Sequence, residues 1–162
     1  MSKIISNSIM KKQLEKIADT PGGEIPKLPD FILKDFIEWD GCILIGAGNE
    51  SINMNTHFTP NEHFNDRTEL EAFYNHVHVN DYFPEVEACP GNSLKLALKM
   101  VEMWEEKLKA RFPQIQFHLI VSCDEFGAIM RFYKCRIEEG SWINIDNIEG
   151  YTENGVLLKE IG

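Results

Sequence analysis

Residues 91–137 read GNSLKLALKMVEMWEEKLKARFPQIQFHLIVSCDEFGAIMRFYKCRI, and this stretch decides the fold. Its first half places apolar residues at helical spacing between the candidate N-cap Ser93 and the helix stop Pro113. The spacing predicts a long helix over about residues 93–112. Its apolar face is wide, which is typical of a helix that packs broadly on a sheet.

The second half of the stretch predicts an antiparallel hairpin. Apolar residues alternate along residues 115–123, which is the period of a strand with one buried face. A short turn containing Gly127 follows, and residues 128–137 are rich in β-forming side chains. Arg131 lies among apolar neighbours in this second strand, so we expect it either to pair with a carboxylate or to point into a pocket.

Outside this stretch, helices are expected early in the chain and strands late. Asp66 and Glu69 have the spacing of a capping box, with Asp in place of Ser or Thr, and predict the start of a short helix. The other expected elements are helices over residues 8–19 and 31–39, strands at 42–45 and 156–161, a weak strand at 52–58, and a loop at 76–89.

This order lacks the strand–helix–strand alternation of parallel α/β folds. It predicts one α+β domain over residues 1–162, with a mostly antiparallel sheet, the long helix of residues 93–112 on one face, and shorter N-terminal helices. Whether the helix and Pro/Gly loop of residues 1–29 lie at the periphery of that domain stays open.

Composition indicates a globular protein with a core of ordinary size. The chain has 162 residues, of which 43% are hydrophobic and 26% charged. It lacks both a long apolar run and a secretory leader pattern at its N-terminus. The four Cys are scattered, which favours free thiols in a reducing compartment. We therefore expect a cytoplasmic protein.

The net charge of −10 is unevenly distributed. Between residues 61 and 90 a single basic residue, Arg67, accompanies seven acids. These acids are the predicted binding face: Glu62, Asp66, Glu69, Glu71, Asp81, Glu85 and Glu87. Such a field repels phosphate backbones, so direct nucleic-acid or anionic-membrane partners are not expected, and it attracts a basic protein. The alternative is that the acidity only maintains solubility.

Histidines supply the candidate metal site. His57, His63, His76 and His78 lie near one another in the sequence, and His76, His78 and Asp81 are the expected ligands if a metal binds. The alternative is a set of surface histidines, because no HExxH or CxxC spacing accompanies them.

Other catalytic and cofactor patterns are missing from the sequence. The Gly-rich loop at residues 46–51 follows a predicted strand, but Ser51 stands where a dinucleotide-binding loop has its third Gly. No serine has the Gly-x-Ser-x-Gly context of a hydrolase. We expect no cofactor, and the sequence favours a protein that is not an enzyme.

The last third of the chain carries a family resemblance. It contains Arg131-Phe132-Tyr133-Lys134, then Gly140-Ser141-Trp142-Ile143, and a closing Val156-Leu157-Leu158 strand. With its size, acidity and α+β layout, the chain resembles small bacterial immunity proteins of polymorphic toxin systems. The resemblance implies a cytoplasmic protein that binds and blocks a toxin domain, and it carries over no functional residue.

Three hypotheses follow from the sequence. The favoured one is a binding module whose acidic face docks on a basic protein, such as a toxin domain. Arg131 and Trp142 are additional candidate contact residues, the latter because it lies beside a turn. The alternatives are a metal-dependent enzyme built on the histidines and a non-catalytic subunit that self-associates through Arg131 and Trp142.

Overall fold

A computed structural model describes residues 2–18, 27–49, 52–86 and 90–162 of the chain. The strands are β1 (Lys3–Ser6), β2 (Phe36–Trp39), β3 (Cys42–Ile45), β4 (Val77–His78), β5 (Phe117–Asp124), β6 (Gly127–Lys134) and β7 (Gly155–Ile161). The α-helices are α1 (Ser8–Ala18), α2 (Asp30–Leu33), α3 (Arg67–Tyr74), α4 (Val79–Tyr82) and α5 (Pro90–Arg111). Segments of 3-10 helix occupy Pro84–Val86 and Ile145–Gly150, the second with a kink at Asn147.

The strands form two antiparallel sheets. The main sheet has the order β1-β7-β5-β6-β4, and β2 pairs with β3 in a separate hairpin. The predicted fold class is therefore confirmed: the protein is α+β, with an antiparallel sheet system, one long helix and shorter helices.

The long helix and the β5–β6 hairpin form the core of the fold, as the sequence predicts. Trp104 on α5 is fully buried and packs edge-on against Phe132 of β6. The helix begins at Pro90, three residues earlier than predicted, because Pro is tolerated in the first turn, where its missing N–H has no partner in any case.

The opposite face of the main sheet is also covered. Ala72 of α3 and Ile143, from the segment after β6, pack on Ile120, Tyr133 and Leu158 of the sheet. This second layer explains why β6 carries apolar residues on both of its faces.

Residues 2–18 are bound tightly to the rest of the domain. β1 is an edge strand paired with β7, and Met10 of α1 is fully buried. The side chain of the buried Asn7 donates to the carbonyls of Tyr151 and Asn154, and its Oδ1 accepts from the N–H of Val156. The helix predicted at residues 8–19 is confirmed as α1, and the loop that follows at residues 19–26 lies outside the described residues.

The helix predicted over residues 31–39 is wrong. α2 ends at Leu33, and β2 begins at Phe36. Asp40 and Gly41 connect β2 to β3 with φ values of 46° and 81°, the positive pair that a type I′ hairpin turn requires. The Asp-Gly dipeptide is therefore a hairpin signal, and it outweighs the helical spacing of the apolar residues before it.

Two other predictions are corrected between residues 52 and 86. The described residues 52–60 contain no strand; the indole of Trp39 donates to the carbonyl of Thr56, and Asp40 accepts from the N–H of Phe58. These bonds tie an irregular segment to the β2–β3 hairpin. The predicted loop at residues 76–89 contains β4, α4 and a 3-10 helix, while residues 87–89 lie outside the described part.

The start of α3 confirms the predicted cap. Asp66 accepts a hydrogen bond from the N–H of Glu69 at 2.8 Å, and Glu69 accepts from the N–H of Asn65 at 2.7 Å. We expect Asp66→Ala to lower the free energy of unfolding by about 1 kcal/mol, because the first turn loses its acceptor. Urea denaturation measures this, with Asp66→Asn as the conservative control. Equal stability of wild type and Asp66→Ala would contradict the role of the cap.

The length and hydropathy of the described helices show whether any of them could span a membrane. None of those in the described part of the chain is both long enough and apolar enough to cross a bilayer.

Candidate functional site

The seven acids of the predicted face do not form one surface. Glu62, Asp81 and Glu85 are exposed, whereas Asp66 and Glu69 are half-buried and occupied in capping α3. Glu87 lies outside the described residues.

Glu71 is a clear correction, because it is fully buried at 0% exposure. Its carboxylate accepts from the guanidinium of Arg136 at 2.6 Å and from the N–H groups of Ile43 at 2.7 Å and Lys134 at 3.1 Å. Burial raises the pKa of the Glu71 carboxyl, and Arg136 and the two amides oppose that shift. Arg136 also donates to the carbonyl of Gly41, so the pair joins α3, the β2–β3 hairpin and the end of β6. Glu71 is a structural residue.

The predicted histidines do not converge on a common metal site within the described residues. His57 lies 3.4 Å from Asp40, and His63 lies 3.5 Å from its neighbour Glu62. Across residues 2–18, 27–49, 52–86 and 90–162, no three His, Cys, Asp or Glu side chains come together in a metal-binding arrangement.

His76, His78 and Asp81 are the predicted ligands, and the structure places them near one another, although they form no metal-binding group within the described residues. The rings of His76 and His78 contact each other at 5.2 Å between centroids. His78 and Asp81 line a surface cavity of about 270 Å³, together with Phe126 of the β5–β6 turn.

A row of aromatic rings, some exposed and some half-buried, lies on this side of the molecule. We define the aromatic row as His63, Phe64, Phe73, Tyr74, His76 and His78. Successive ring centroids are 6.4 Å apart for His63–Phe64, 5.6 Å for Phe64–Phe73, 5.3 Å for Phe73–Tyr74, 5.4 Å for Phe73–His76 and 5.2 Å for His76–His78. Phe73 is 53% exposed and Tyr74 41% exposed, so apolar and aromatic surface faces solvent along this row.

The local fold explains why these rings point outward. Leu70, Glu71 and Ala72 fill the buried side of α3, which leaves Phe73 and Tyr74 on its outer side. Phe64 packs at the base of the row against the cluster that contains Leu70.

A buried amide holds the chain where the row turns from α3 to β4. Asn75 is fully buried, and its side chain donates to the carbonyls of Ile43 and Phe132 and accepts from the N–H of Ile45. These bonds span the two sheets. They hold Phe73 and Tyr74 on one side of this residue and His76 on the other in a defined arrangement.

Arg131 and Trp142 stack beside the row. The guanidinium carbon of Arg131 lies 4.3 Å from the centre of the Trp142 ring, and one Nη donates to the carbonyl of Ala72 at 3.0 Å. Met130, the neighbour of Arg131, pairs with Val77 of β4, so Arg131 lies near the chain segment that carries His76 and His78. Burial lowers the pKa of Arg131. The sequence predicted that this side chain pairs with a carboxylate or points into a pocket. In the structure it lies over the Trp142 ring.

A chain of hydrogen bonds fixes the segment that carries Trp142. Glu160 contacts His118 Nε2 at 3.2 Å, His118 Nδ1 contacts the hydroxyl of Tyr133 at 3.0 Å, and that hydroxyl contacts Ser141 at 2.8 Å. A carboxylate only accepts, so Nε2 carries the proton and Nδ1 accepts from Tyr133. Burial lowers the pKa of His118, and Glu160 opposes this shift. The lowered pKa favours the neutral form of the ring. The chain joins Ser141, the neighbour of Trp142, to the sheet.

Sequence reasoning found part of this surface. It singled out Arg131 and Trp142 and grouped the histidines, but it assigned Phe64, Phe73 and Tyr74 no functional role. Adjacency on the helix was no signal for them, because neighbouring positions of α3 can both be buried, as Glu71 and Ala72 are.

The family comparison covers almost the whole fold. A family model, the Uncharacterized protein PM0498 family, matches residues 5–162. The chain belongs to this family. Membership extends from within β1 to the end of β7 and includes the aromatic row, Arg131 and Trp142. No curated protein and no solved structure matches the chain.

Proposed function

We propose that this protein is a binding module that docks on a basic protein through the aromatic row. The exposed rings of Phe73 and Tyr74 carry this proposal. Aromatic side chains are over-represented among the residues that dominate binding energy at protein interfaces, and an exposed group of them is a typical docking surface.

Charge favours a basic partner. The net charge is −10, and acids lie at both ends of the row. Glu62 contacts His63 at one end, and at the other Asp81 and Asp124 line the same cavity as His78. An apolar centre with an acidic rim complements a partner with apolar contact residues surrounded by Lys and Arg.

The same features are those expected of an immunity protein that acts in the cytoplasm on a basic toxin domain. Such a module needs a surface that docks on its partner, and in this proposal the aromatic row is that surface. In this proposal the acidic rim contributes mainly to the association rate and the aromatic row to the lifetime of the complex.

The test uses three tagged forms of the chain: wild type, Phe73→Ala/Tyr74→Ala, and Ile4→Ala. Ile4 is 58% exposed on β1, at the opposite edge of the main sheet from β4, and serves as a matched apolar control. We expect wild type and Ile4→Ala to retain the same basic protein from a lysate of the native host. The double variant is expected to lose it.

The retained protein is then purified and titrated calorimetrically. Truncating a central aromatic costs about 2 kcal/mol, so we expect the Kd to rise about 30-fold or more in the double variant. The association rate of the two purified proteins, followed by stopped-flow mixing, is expected to fall as salt is raised to roughly 0.5 M, because salt screens the attraction between the charges. Retention of no basic protein, or equal binding by the double variant, would refute the proposed function.

A further inference from the structure

Arg131 differs from the other arginines of this acidic chain. Arg67 pairs with Asp40 at 2.9 Å, Arg111 with Asp35 at 3.1 Å, and Arg136 with Glu71 at 2.6 Å. Arg131 forms no ion pair with a carboxylate in the part of the chain that the structure describes. In a chain with 26 Asp and Glu against 16 Lys and Arg, an arginine without an acidic partner stands out.

Most of its hydrogen-bonding capacity is unused. Within the described residues the Arg131 side chain makes one hydrogen bond, to the carbonyl of Ala72. A guanidinium has five N–H donors. Among the described residues, none of its remaining nitrogens is both fully buried and without a partner, so the remaining donors keep some contact with solvent.

The group is also held in place before any ligand arrives. Its plane is fixed by the Trp142 ring on one side and by the bond to Ala72, and Ser141 secures the segment that carries Trp142. A positioned guanidinium loses less entropy on binding than a free one, and its planar fork matches the two oxygens of a carboxylate.

We propose that Arg131, stacked on Trp142, binds one carboxylate of the docked partner. This inference rests on the proposed function, because it assigns a specific contact to the surface beside the aromatic row. A carboxylate fits better than a phosphate, since the net charge of −10 disfavours a dianion and a single guanidinium supplies one positive charge. A basic partner can supply this group from an Asp or Glu side chain or from its C-terminus.

The experiment is a nuclear magnetic resonance titration of the intact chain. The side-chain Nε–H signal of Arg131 and the indole N–H signal of Trp142 are assigned from Arg131→Lys and Trp142→Phe spectra. The probes are acetate, its neutral analogue acetamide, chloride at matched ionic strength, and inorganic phosphate. N-acetylglycine and N-acetyl-aspartyl-N-methylamide then compare a chain-terminal carboxylate with a side-chain carboxylate.

We expect acetate to shift both signals of the wild type in a saturable manner. The shift of the Trp142 indole signal is expected to disappear in Arg131→Gln and to weaken in Arg131→Lys. Arg67 is the internal control, because its Nε–H already donates to the carbonyl of Asp40 and is expected not to respond. Equal shifts with acetamide or chloride, an equal response at Arg67, or tighter binding of phosphate would overturn the assignment to a carboxylate.

The two proposals fail in distinguishable ways. If acetate leaves Arg131 unchanged but the Phe73→Ala/Tyr74→Ala variant loses its partner, the carboxylate contact is refuted and the docking surface stands. If Arg131 binds acetate but the double variant keeps its partner, the aromatic docking surface is refuted and, with it, the assignment of the carboxylate to a partner docked there, while the anion site itself stands.

Discussion

Replacing Arg136 with Met is expected to lower the free energy of unfolding by about 3–5 kcal/mol, because it leaves a buried carboxylate without its counter-charge. Glu71 is fully buried and accepts from Arg136 at 2.6 Å. Met keeps much of the length and apolar volume of the Arg stem, so the change isolates the loss of charge and hydrogen bonds. The loss also affects Gly41, whose carbonyl accepts from Arg136 at the β2–β3 turn.

Two further variants make this prediction specific. Removing both charges in Arg136→Met/Glu71→Leu is expected to recover part of the lost stability, since a buried pair often costs more to break than to replace. Arg111→Met removes an exposed ion pair with Asp35 and is expected to cost no more than about 1 kcal/mol. Urea denaturation followed by tryptophan fluorescence measures all three. A loss in Arg136→Met no larger than in Arg111→Met would contradict the structural role of the buried pair.

The parts of the fold that the sequence predicts well are those with long, uninterrupted periodicity. α5 and the β5–β6 hairpin extend over 22, 8 and 8 residues, enough for helical and alternating patterns to be distinguished. β2 has four residues, and its apolar side chains fit a helix as well as a strand. The Asp40-Gly41 turn determines that this segment is a strand. It does so through its backbone conformation, which a hydrophobic pattern does not report.

The site was less predictable because its residues are defined by long-range contacts. Glu71 and Glu69 are both acids on a short helix, yet one is buried and the other caps the helix. The partners of Glu71 separate them, and these come from distant segments: Arg136 lies 65 residues further along the chain, and the amides belong to Ile43 and Lys134. By contrast, Arg131 was conspicuous from its apolar neighbours alone, although the carbonyl of Ala72 and the Trp142 ring that hold it come from elsewhere in the chain.

A second cluster of charges is centred on Glu105. Glu105 of α5 accepts from Lys109 at 2.6 Å and from the hydroxyl of Ser2 at 2.5 Å, and it also contacts Lys159 of β7. Burial raises the pKa of this carboxyl, but the two ammonium groups and the hydroxyl outweigh burial and lower it from 4.5 to about 2. The cluster ties α5 to β7 and to the segment before β1.

We expect this carboxylate to contribute less than about 3.5 kcal/mol to stability, because each unit of pKa shift corresponds to about 1.4 kcal/mol and solvent around the partly exposed Lys109 screens the charges. The pKa is lower in the folded chain than in the unfolded chain. The contribution is therefore fully present above about pH 4.5 and is lost as the pH falls towards about 2. Urea unfolding of wild type and Glu105→Gln across this range measures it, and the difference between the two proteins is expected to shrink as acid is added.

Glu106→Gln is the matched control, because it changes an exposed carboxylate in the same turn of α5. It is expected to alter stability by no more than about 0.5 kcal/mol at neutral pH. If Glu105→Gln and wild type differ by a constant amount from neutral pH to about pH 2, the carboxylate does not have the low pKa that its contacts imply. The link from Ser2 through Glu105 to Lys159 would then be held by hydrogen bonds without a net contribution from charge.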